Sequence, residues 1–319
     1  MHDWNGTADA SAWRARVVDE TLREGLQSPG VRDPSLDQKL CLLFAMAEIG
    51  VSMVSLGLPA ASERASRDVA ELARAIATSK LPLRPTAAAR TMEADVRAVG
   101  DASQRAGTAI EVYAFVGSSP MRQLVEGWDT PLLVSRVEAA AKTAASAGLP
   151  FCLVTEDTTR SSREVLRALF AAAVDGGASR LCLCDTVGYA DPHGTAALIA
   201  FTRETLAELG APHVELDWHG HNDRGLGLAN ALAAVRAGIE RVHGTALGFG
   251  ERTGNPRVEH LLSRMAEMGL RPHPDARALD RYRSVAAVAL GVTADADARL
   301  VRGPARVEAA QPQPGEGAE

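Results

Sequence analysis

Two histidines separated by one residue are the clearest candidates for chemistry in this sequence. His219 and His221 lie in the segment 216–223, which reads as the end of a β-strand. Because successive side chains of a strand point to opposite faces, both imidazoles point the same way. Two imidazoles on one face form half of a divalent-metal site and need oxygen ligands from elsewhere. An isolated pair of this kind is more often structural, so the metal hypothesis requires matching groups at other strand ends.

The elements that would position such groups follow a regular alternation. Eight short apolar segments alternate with Ala-, Leu-, Glu- and Arg-rich segments of helical spacing. The predicted strands are 16–21, 52–56, 83–88, 110–116, 151–155, 180–184, 214–218 and 241–246. The predicted helices are 35–49, 62–77, 92–105, 136–147, 162–175, 192–209, 226–237 and 256–268. This α/β alternation predicts a (β/α)8 TIM barrel. A doubly wound open sheet is the alternative, disfavoured because no glycine-rich dinucleotide fingerprint follows the first strand.

The chain divides into four predicted parts. Residues 1–14 form an N-terminal tail and 15–270 the catalytic barrel. Residues 271–310 form a short helical extension, with a helix around 276–290. The Pro- and Gly-rich stretch 311–319 is predicted to be a disordered tail.

Composition narrows the class of protein. The chain is 46% hydrophobic and 23% charged, with a net charge of −6 and no basic stripe, so we expect no nucleic-acid partner. No apolar stretch approaches the roughly 20 residues that span a bilayer, so we expect no membrane partner. The N-terminus lacks a secretory pattern, which predicts a cytoplasmic protein. The four cysteines, Cys41, Cys152, Cys182 and Cys184, are expected to be reduced, small, buried residues.

Polar, chemically capable side chains follow six of the eight predicted strands. In a barrel, the carboxyl ends of the strands form the active-site face. Glu24 follows the first strand and is the best carboxylate candidate; Asn255, after the eighth strand, offers an amide oxygen. Strand ends one, seven and eight are neighbours in a closed barrel. We therefore expect these two residues to converge with His219 and His221 on a divalent metal.

Five motifs in this order carry a family resemblance: DETLREG, EDTTR, DTVGY, HGHND and GFGERTGN. Together they resemble the DRE-TIM metallolyase superfamily, most closely its 2-isopropylmalate, homocitrate and citramalate synthases. The resemblance covers roughly 17–262, most of the chain. It implies a TIM-barrel enzyme that condenses an acyl-CoA, with acetyl-CoA as the expected donor, with a 2-oxo acid, and that forms a homodimer.

The resemblance also implies roles for individual residues. It implies that Glu24, His219 and His221 hold a divalent metal (Mg, Mn or Zn), with Asn255 close to it. Three further residues match catalytic positions: Arg23, Glu156 and Thr186. Arg23 would stabilise developing oxyanion charge, and Glu156 would remove or position a proton.

Substrate contacts are expected from four further residues. Arg90, at the third strand end, is placed with Thr186 on the substrate carboxylate. Gln27 matches a recurrent glutamine of the family and is expected to make a polar contact. Gly248 and Gly250 would let a thioester or phosphate approach the backbone; a tight turn closing the barrel is the equally weighted alternative.

Departures from the synthase pattern keep two other hypotheses open. Leu26 stands where the synthases carry Glu, as in the related hydroxymethylglutaryl-CoA lyases, but no cysteine follows Cys184 to supply those lyases' catalytic thiol. The synthases' linker histidine, in an SGIH-like motif, has no counterpart: after Met268 the sole histidine is His273. A retro-aldol or retro-Claisen lyase is therefore the alternative. A non-catalytic barrel is the third hypothesis, opposed by the intact set of Arg23, metal carboxylate and histidines.

Overall fold

The computed structural model describes residues 15–292. The tail predictions for 1–14 and 311–319, and the end of the predicted extension at 293–310, lie outside the described residues.

The strands form one closed parallel barrel. Each strand pairs with the next along the chain, and β1 pairs with β8, as Val18 opposite His243 shows. The strands are β1 Arg16–Asp19, β2 Met53–Ser55, β3 Arg84–Arg90, β4 Glu111–Gly117, β5 Phe151–Glu156, β6 Arg180–Asp185, β7 Glu215–Gly220 and β8 Arg241–Gly244. The predicted (β/α)8 barrel is confirmed. The open-sheet alternative is wrong, because closure leaves the sheet no edges.

Helices surround the barrel, and all of them except α4 bury apolar side chains. They are α1 Leu36–Glu48, α2 Glu63–Thr78, α3 Glu93–Ala106, α4 Pro120–Glu126, α5 Thr130–Ser146, α6 Arg163–Asp175, α7 Pro192–Glu208, α8 Gly227–Arg236, α9 Val258–Glu267 and α10 Ala276–Leu290. The sequence did not predict α4, and α5 begins earlier than position 136. The Asp129 side chain caps α5 by accepting from Leu132 N, which fixes the earlier start. No helix within 15–292 is long and apolar enough to cross a bilayer.

The last described helix is tied to the first strand. The Tyr282 hydroxyl of α10 is fully buried and donates to Asp19 Oδ2 at 2.5 Å. Asp19 Oδ1 accepts from both the backbone and the hydroxyl of Thr21. The Thr21 hydroxyl oxygen accepts in turn from Ala246 N, at 2.7 Å. The helix therefore closes a buried network that joins the ends of β1 and β8, and the predicted C-terminal helical extension is part of the fold.

The inside of the barrel carries charge where most TIM barrels carry branched aliphatic side chains. Tyr113 of β4 donates to Asp217 of β7 at 2.5 Å, and Arg241 of β8 donates to Tyr113 at 3.1 Å. Strand β4 is a neighbour of neither β7 nor β8 in the sheet, so these side chains meet across the interior. Arg180 pairs with Glu111 at 3.0 Å below them. This paired layer forms a rigid polar floor beneath the active-site end of the barrel.

Candidate metal centre and cavity

Three buried side chains from two strand ends converge at the carboxyl end of the barrel. His219 lies in β7 and His221 directly after it, with both imidazoles on one face. Their Nε2 atoms lie 3.9 Å and 3.7 Å from the two carboxylate oxygens of Glu24, which follows β1. All three residues are buried. The structure thus brings together the three metal ligands predicted from sequence.

The spacing of these donors fits a metal ion. Donors about 2.1 Å from one ion lie about 3 to 3.4 Å apart, for right-angle or tetrahedral geometry. The observed distances between the histidine nitrogens and the Glu24 oxygens would have to shorten by about half an ångström for one ion to bind them all. His221 Nδ1 is buried and has no hydrogen-bond partner among the described residues. An imidazole and carboxylate set of this kind suits Mg, Mn or Zn.

The protonation states of these groups also favour metal binding. Burial lowers the pKa of His219 to about 3, against the opposing charge of Glu24, so the imidazole is neutral at pH 7. Burial alone would raise the pKa of Glu24, but the charge of Arg23 outweighs it and the pKa lies below its usual value. Neutral imidazole and ionised carboxylate are the forms that bind metal.

Asn255 lies beside these ligands and is held by the loop after β8. Its Nδ2 donates to the carbonyl of Gly220 at 3.0 Å, while Oδ1 is buried with no partner among the described residues. A Cβ at Gly250 would lie 2.0 Å from that Oδ1. Gly250 is therefore required to make room for the Asn255 side chain, which supports the tight-turn interpretation of this glycine.

The same loop closes over the metal carboxylate. Glu251 N donates to Glu24 Oε1 at 3.1 Å. Gly254 has a φ of +81°, and a Cβ there would meet the Gly248 carbonyl oxygen at 1.9 Å. Gly248 and Gly250 are not among the residues that line the cavity. The loop's glycines thus serve close backbone packing, which leaves their predicted contact with a thioester or phosphate without support from the geometry.

Arg23 is fixed between two carboxylates. Its Nε donates to Glu20 Oε2 at 2.7 Å and its Nη1 to Glu24 Oε2 at 2.9 Å. Burial alone would lower the pKa of this guanidinium, but the two carboxylates hold it above its usual value. Arg23 therefore presents a permanent positive charge, in one orientation, beside the predicted metal carboxylate.

These residues line one cavity of about 220 Å³. Of the residues predicted from sequence, it is lined by Arg23, Glu24, Gln27, Glu156, Thr186, His219 and His221. It is also lined by Glu20, Ser55, Leu58, Ala88, Tyr113, Phe115, Val154, Cys182, Cys184, His243 and Glu251. Metal donors, a guanidinium and a further carboxylate are thereby available to one small molecule.

The groups opposite the metal donors come from β5 and β6. Burial raises the pKa of the Glu156 carboxyl, although Arg122 Nε lies 3.5 Å from its Oε1. A raised pKa suits a group that exchanges protons near neutral pH. The Thr186 hydroxyl oxygen accepts from Asp157 N at 2.8 Å, which leaves its O–H free to donate into the cavity.

Arg90 lies outside the cavity and is held by Asp95. Its Nε and Nη2 donate to the two oxygens of Asp95 at 2.7 and 2.8 Å, and 56% of its side chain is exposed. It is not among the cavity-lining residues. The proposed contact of Arg90 with a substrate carboxylate gains no support from this arrangement.

The sequence pattern did not predict a role for the buried, interacting side chains that lie beneath the metal donors. His243 of β8 lies with Nδ1 3.1 Å from Glu20 Oε1 and Nε2 3.2 Å from Asp217 Oδ2. Burial alone would lower its pKa, but these two carboxylates hold the pKa above its usual value. The available signal was the strand Arg-Val-His-Gly at 241–244, whose alternate residues are charged or polar where a wholly apolar strand was expected.

This chain includes a second group of potential metal ligands, Glu20, His219 and His243. Glu20 already accepts from Arg23, and His243 lies between two carboxylates that hold its pKa above the usual value, which disfavours the neutral imidazole that binds a metal. In the set of Glu24, His219 and His221, burial lowers the pKa of both imidazoles and keeps them neutral. We therefore assign the predicted ion to the latter set.

The cysteines follow the sequence prediction with one exception. Cys152, Cys182 and Cys184 are buried free thiols, and the last two line the cavity. Cys41 is also free but exposed, so the prediction of burial is wrong for it. Its position in α1 lies on the solvent side of the amphipathic helix.

Comparison with known proteins places the chain in a family. The HMGL-like family model matches residues 14–286. A 2-isopropylmalate synthase of Solidesulfovibrio magneticus is 34% identical over 263 residues, which are 82% of this chain and 49% of that protein. A putative (R)-citramalate synthase of Methanopyrus kandleri is 33% identical over 268 residues, 84% of this chain and 50% of that protein. The chain thus spans about half the length of the curated relatives it matches.

Solved structures agree in fold. The hydroxymethylglutaryl-CoA lyase of Pseudomonas aeruginosa superposes with a TM-score of 0.71 at 18% identity, covering 90% of this chain and 96% of that chain. The family model and the two synthase relatives confirm the resemblance inferred from the five motifs. The chain belongs to the HMGL-like family.

Proposed function

We propose that this protein condenses an acyl-CoA, with acetyl-CoA as the first choice, and a 2-oxo acid, and that water hydrolyses the thioester of the adduct to give CoA and a 2-hydroxy-2-substituted dicarboxylate. One observation carries the proposal: Arg23 and Glu156 line the same cavity as the metal donors Glu24, His219 and His221. The names of the curated relatives, 2-isopropylmalate synthase and citramalate synthase, support it.

The cavity's charges suit the attack of an acyl-CoA carbanion on a ketone. A divalent ion at the metal donors supplies Lewis-acid polarisation of the ketone. Arg23, held by Glu20 and Glu24, stabilises negative charge as it develops on the ketone oxygen. Because the guanidinium is fixed before substrate binds, no reorganisation is needed at the moment of reaction.

Residues on the side of the cavity opposite the metal donors carry out proton transfer. Glu156 takes a proton from the acyl methyl group, a role that its raised pKa and partial burial favour. The Thr186 hydroxyl donates to the carboxylate that every 2-oxo acid carries, and Gln27 makes a polar contact at the exposed mouth. Glu156 then passes its proton to solvent, solvent protonates the alkoxide, and water hydrolyses the thioester of the adduct, which releases CoA.

The test is release of thiol from acetyl-CoA with a panel of 2-oxo acids, before and after treatment with EDTA. We expect release that requires one of the acids and is abolished by EDTA. Glu156→Gln should lose release while Glu138→Gln, on the exposed surface of α5, should keep it. Release without any acid, or release that survives EDTA, would contradict the proposal.

A carbon–carbon lyase is the second candidate. It is favoured by Leu26, which stands where the synthases carry Glu, as in the related hydroxymethylglutaryl-CoA lyases. A lyase would cleave a 2-hydroxy acid or hydroxyacyl-CoA with the same metal donors and arginine. Absence of thiol release with every acid, together with cleavage of such a compound by the metal-loaded protein, would select it.

A further inference from the structure

The cavity has two chemically different sides. The metal donors and Arg23 follow β1 and β7, which adjoin β8 in the closed barrel. The other side is built from β3 to β6 and carries a set of residues that we call the apolar wall: Ala88, Phe115, Val154, Cys182 and Cys184. The two thiols are buried, and burial raises the pKa of Cys182 well above its usual value, so it adds no charge.

The arginine that lines the cavity lies on the metal side. Among the described residues that line the cavity, Arg23 is the only arginine or lysine, and both Glu20 and Glu24 accept from it. Further guanidiniums that contact lining residues are each paired with a carboxylate: Arg122 with Glu156 at 3.5 Å, Arg241 with Glu111 at 3.3 Å and Arg252 with Asp223 at 2.8 Å. No cation is thus left unengaged beside the apolar wall among the residues described.

Negative charge lies near the wall instead. Glu156 comes two residues after Val154 on β5 and lines the cavity. A substrate carboxylate on this side would face hydrocarbon, thiol and the carboxyl group of Glu156. Burying a charge without a partner is strongly unfavourable, and like charges nearby add to the penalty.

We propose that the 2-oxo acid bears an uncharged, apolar side chain that packs on the apolar wall, so that dicarboxylic 2-oxo acids are rejected. This inference rests on the proposed condensation. The acid's own carboxylate and ketone face the metal donors, Arg23 and Thr186, and its side chain faces Ala88, Phe115 and Val154. A dicarboxylic acid is rejected because its second carboxylate would find neither a cation nor a strong hydrogen-bond donor on the apolar wall.

The experiment compares 2-oxobutyrate and 2-oxoisovalerate with 2-oxoglutarate and oxaloacetate, by kcat/KM for thiol release. We expect the apolar acids to be favoured by at least about 10-fold. The second readout needs no turnover: the shift in Tm of the metal-loaded protein with 2-hydroxyisovalerate or 2-hydroxyglutarate. The apolar ligand should give the larger shift.

A matched pair of variants tests the wall itself. Phe115→Arg introduces a cation of similar volume, and Phe115→Leu keeps the wall apolar. Phe115→Arg should raise the ratio of dicarboxylic to apolar acid turnover by about 10-fold or more, and Phe115→Leu should leave it low. A Tm close to that of Phe115→Leu shows that the charged variant folds.

The outcomes separate this inference from the proposed function. Equal or better use of 2-oxoglutarate or oxaloacetate overturns the apolar-substrate inference and leaves condensation standing. Absence of thiol release with every acid overturns condensation. The ranking of the two Tm shifts then tests whether the apolar wall binds an apolar side chain. A larger shift with 2-hydroxyisovalerate supports it, and an equal, smaller or absent shift overturns it.

Discussion

The guanidinium of Arg23 donates to Glu24 Oε2 at 2.9 Å, so the catalytic cation is oriented by the predicted metal carboxylate. The same carboxylate offers its other oxygen to Glu251 N at 3.1 Å. The Glu24 side chain therefore serves both as a predicted metal ligand and as the group that orients the charge-stabilising Arg23.

Replacing Arg23 should separate turnover from metal binding. Arg23→Met removes a positive charge beside the metal donors, so affinity for Mn²⁺ should hold or rise because a repulsion is lost. Condensation should fall about 100- to 1,000-fold, as for loss of an oxyanion-stabilising donor. Calorimetric Mn²⁺ titration and thiol release measure the two effects. The exposed Arg97→Met on α3 is the control, and a parallel loss of both properties would contradict this separation.

The loop after β8 should tolerate no side chain at Gly250. A Cβ there would lie 2.0 Å from Asn255 Oδ1, so Gly250→Ala must displace the amide. We expect a loss of about 1 to 3 kcal/mol in the free energy of unfolding, together with weaker Mn²⁺ binding. Gly30→Ala is the matched control, since nothing lies within 4 Å of a Cβ at that position. Unchanged stability and metal affinity in Gly250→Ala would show that the amide position is unimportant.

Asp19 should make stability fall as pH rises. Burial raises its pKa from 3.8 to about 6 in the folded protein, so the folded state holds this proton more tightly than the unfolded state. The contribution is fully present below pH 4, and it is lost as pH rises towards 6, by about 3 kcal/mol in all. Urea unfolding of the wild type and Asp19→Asn between pH 4.5 and 7.5 isolates it. The wild type should lose stability relative to the variant as pH rises; parallel curves would refute the raised pKa.

The hydroxyl of Tyr282 should stabilise the whole barrel through α10. Tyr282→Phe leaves Asp19 Oδ2 without its partner in a fully buried setting. A loss of about 1 to 3 kcal/mol in the free energy of unfolding is expected, within a single cooperative transition. Tyr189→Phe is the matched control because Tyr189 is 58% exposed. Separate transitions for α10 and the barrel would contradict the account of one folding unit.

The sequence was most informative where the geometry is local. The alternation of side chains along a strand placed His219 and His221 on one face, and closure of the barrel places Glu24 beside them. His243 was missed because its environment depends on contacts across the interior, with Glu20 and Asp217 on other strands. Arg90 was assigned by position alone, and Asp95 in the first turn of α3 holds its guanidinium away from the cavity. Side-chain direction at a strand end is set by such neighbours, which spacing does not reveal.

Metal-dependent condensation is tested most directly by adding Mn²⁺ back to the metal-stripped protein while thiol release from acetyl-CoA is followed with the preferred 2-oxo acid. We expect the wild type to be inactive when stripped of metal and to regain activity with one Mn²⁺ per chain. His219→Ala should stay folded, fail to bind the ion tightly and remain inactive, whereas the exposed His213→Ala should behave as the wild type. Full thiol release by the stripped protein, or by His219→Ala, would contradict the metal centre and the function built on it.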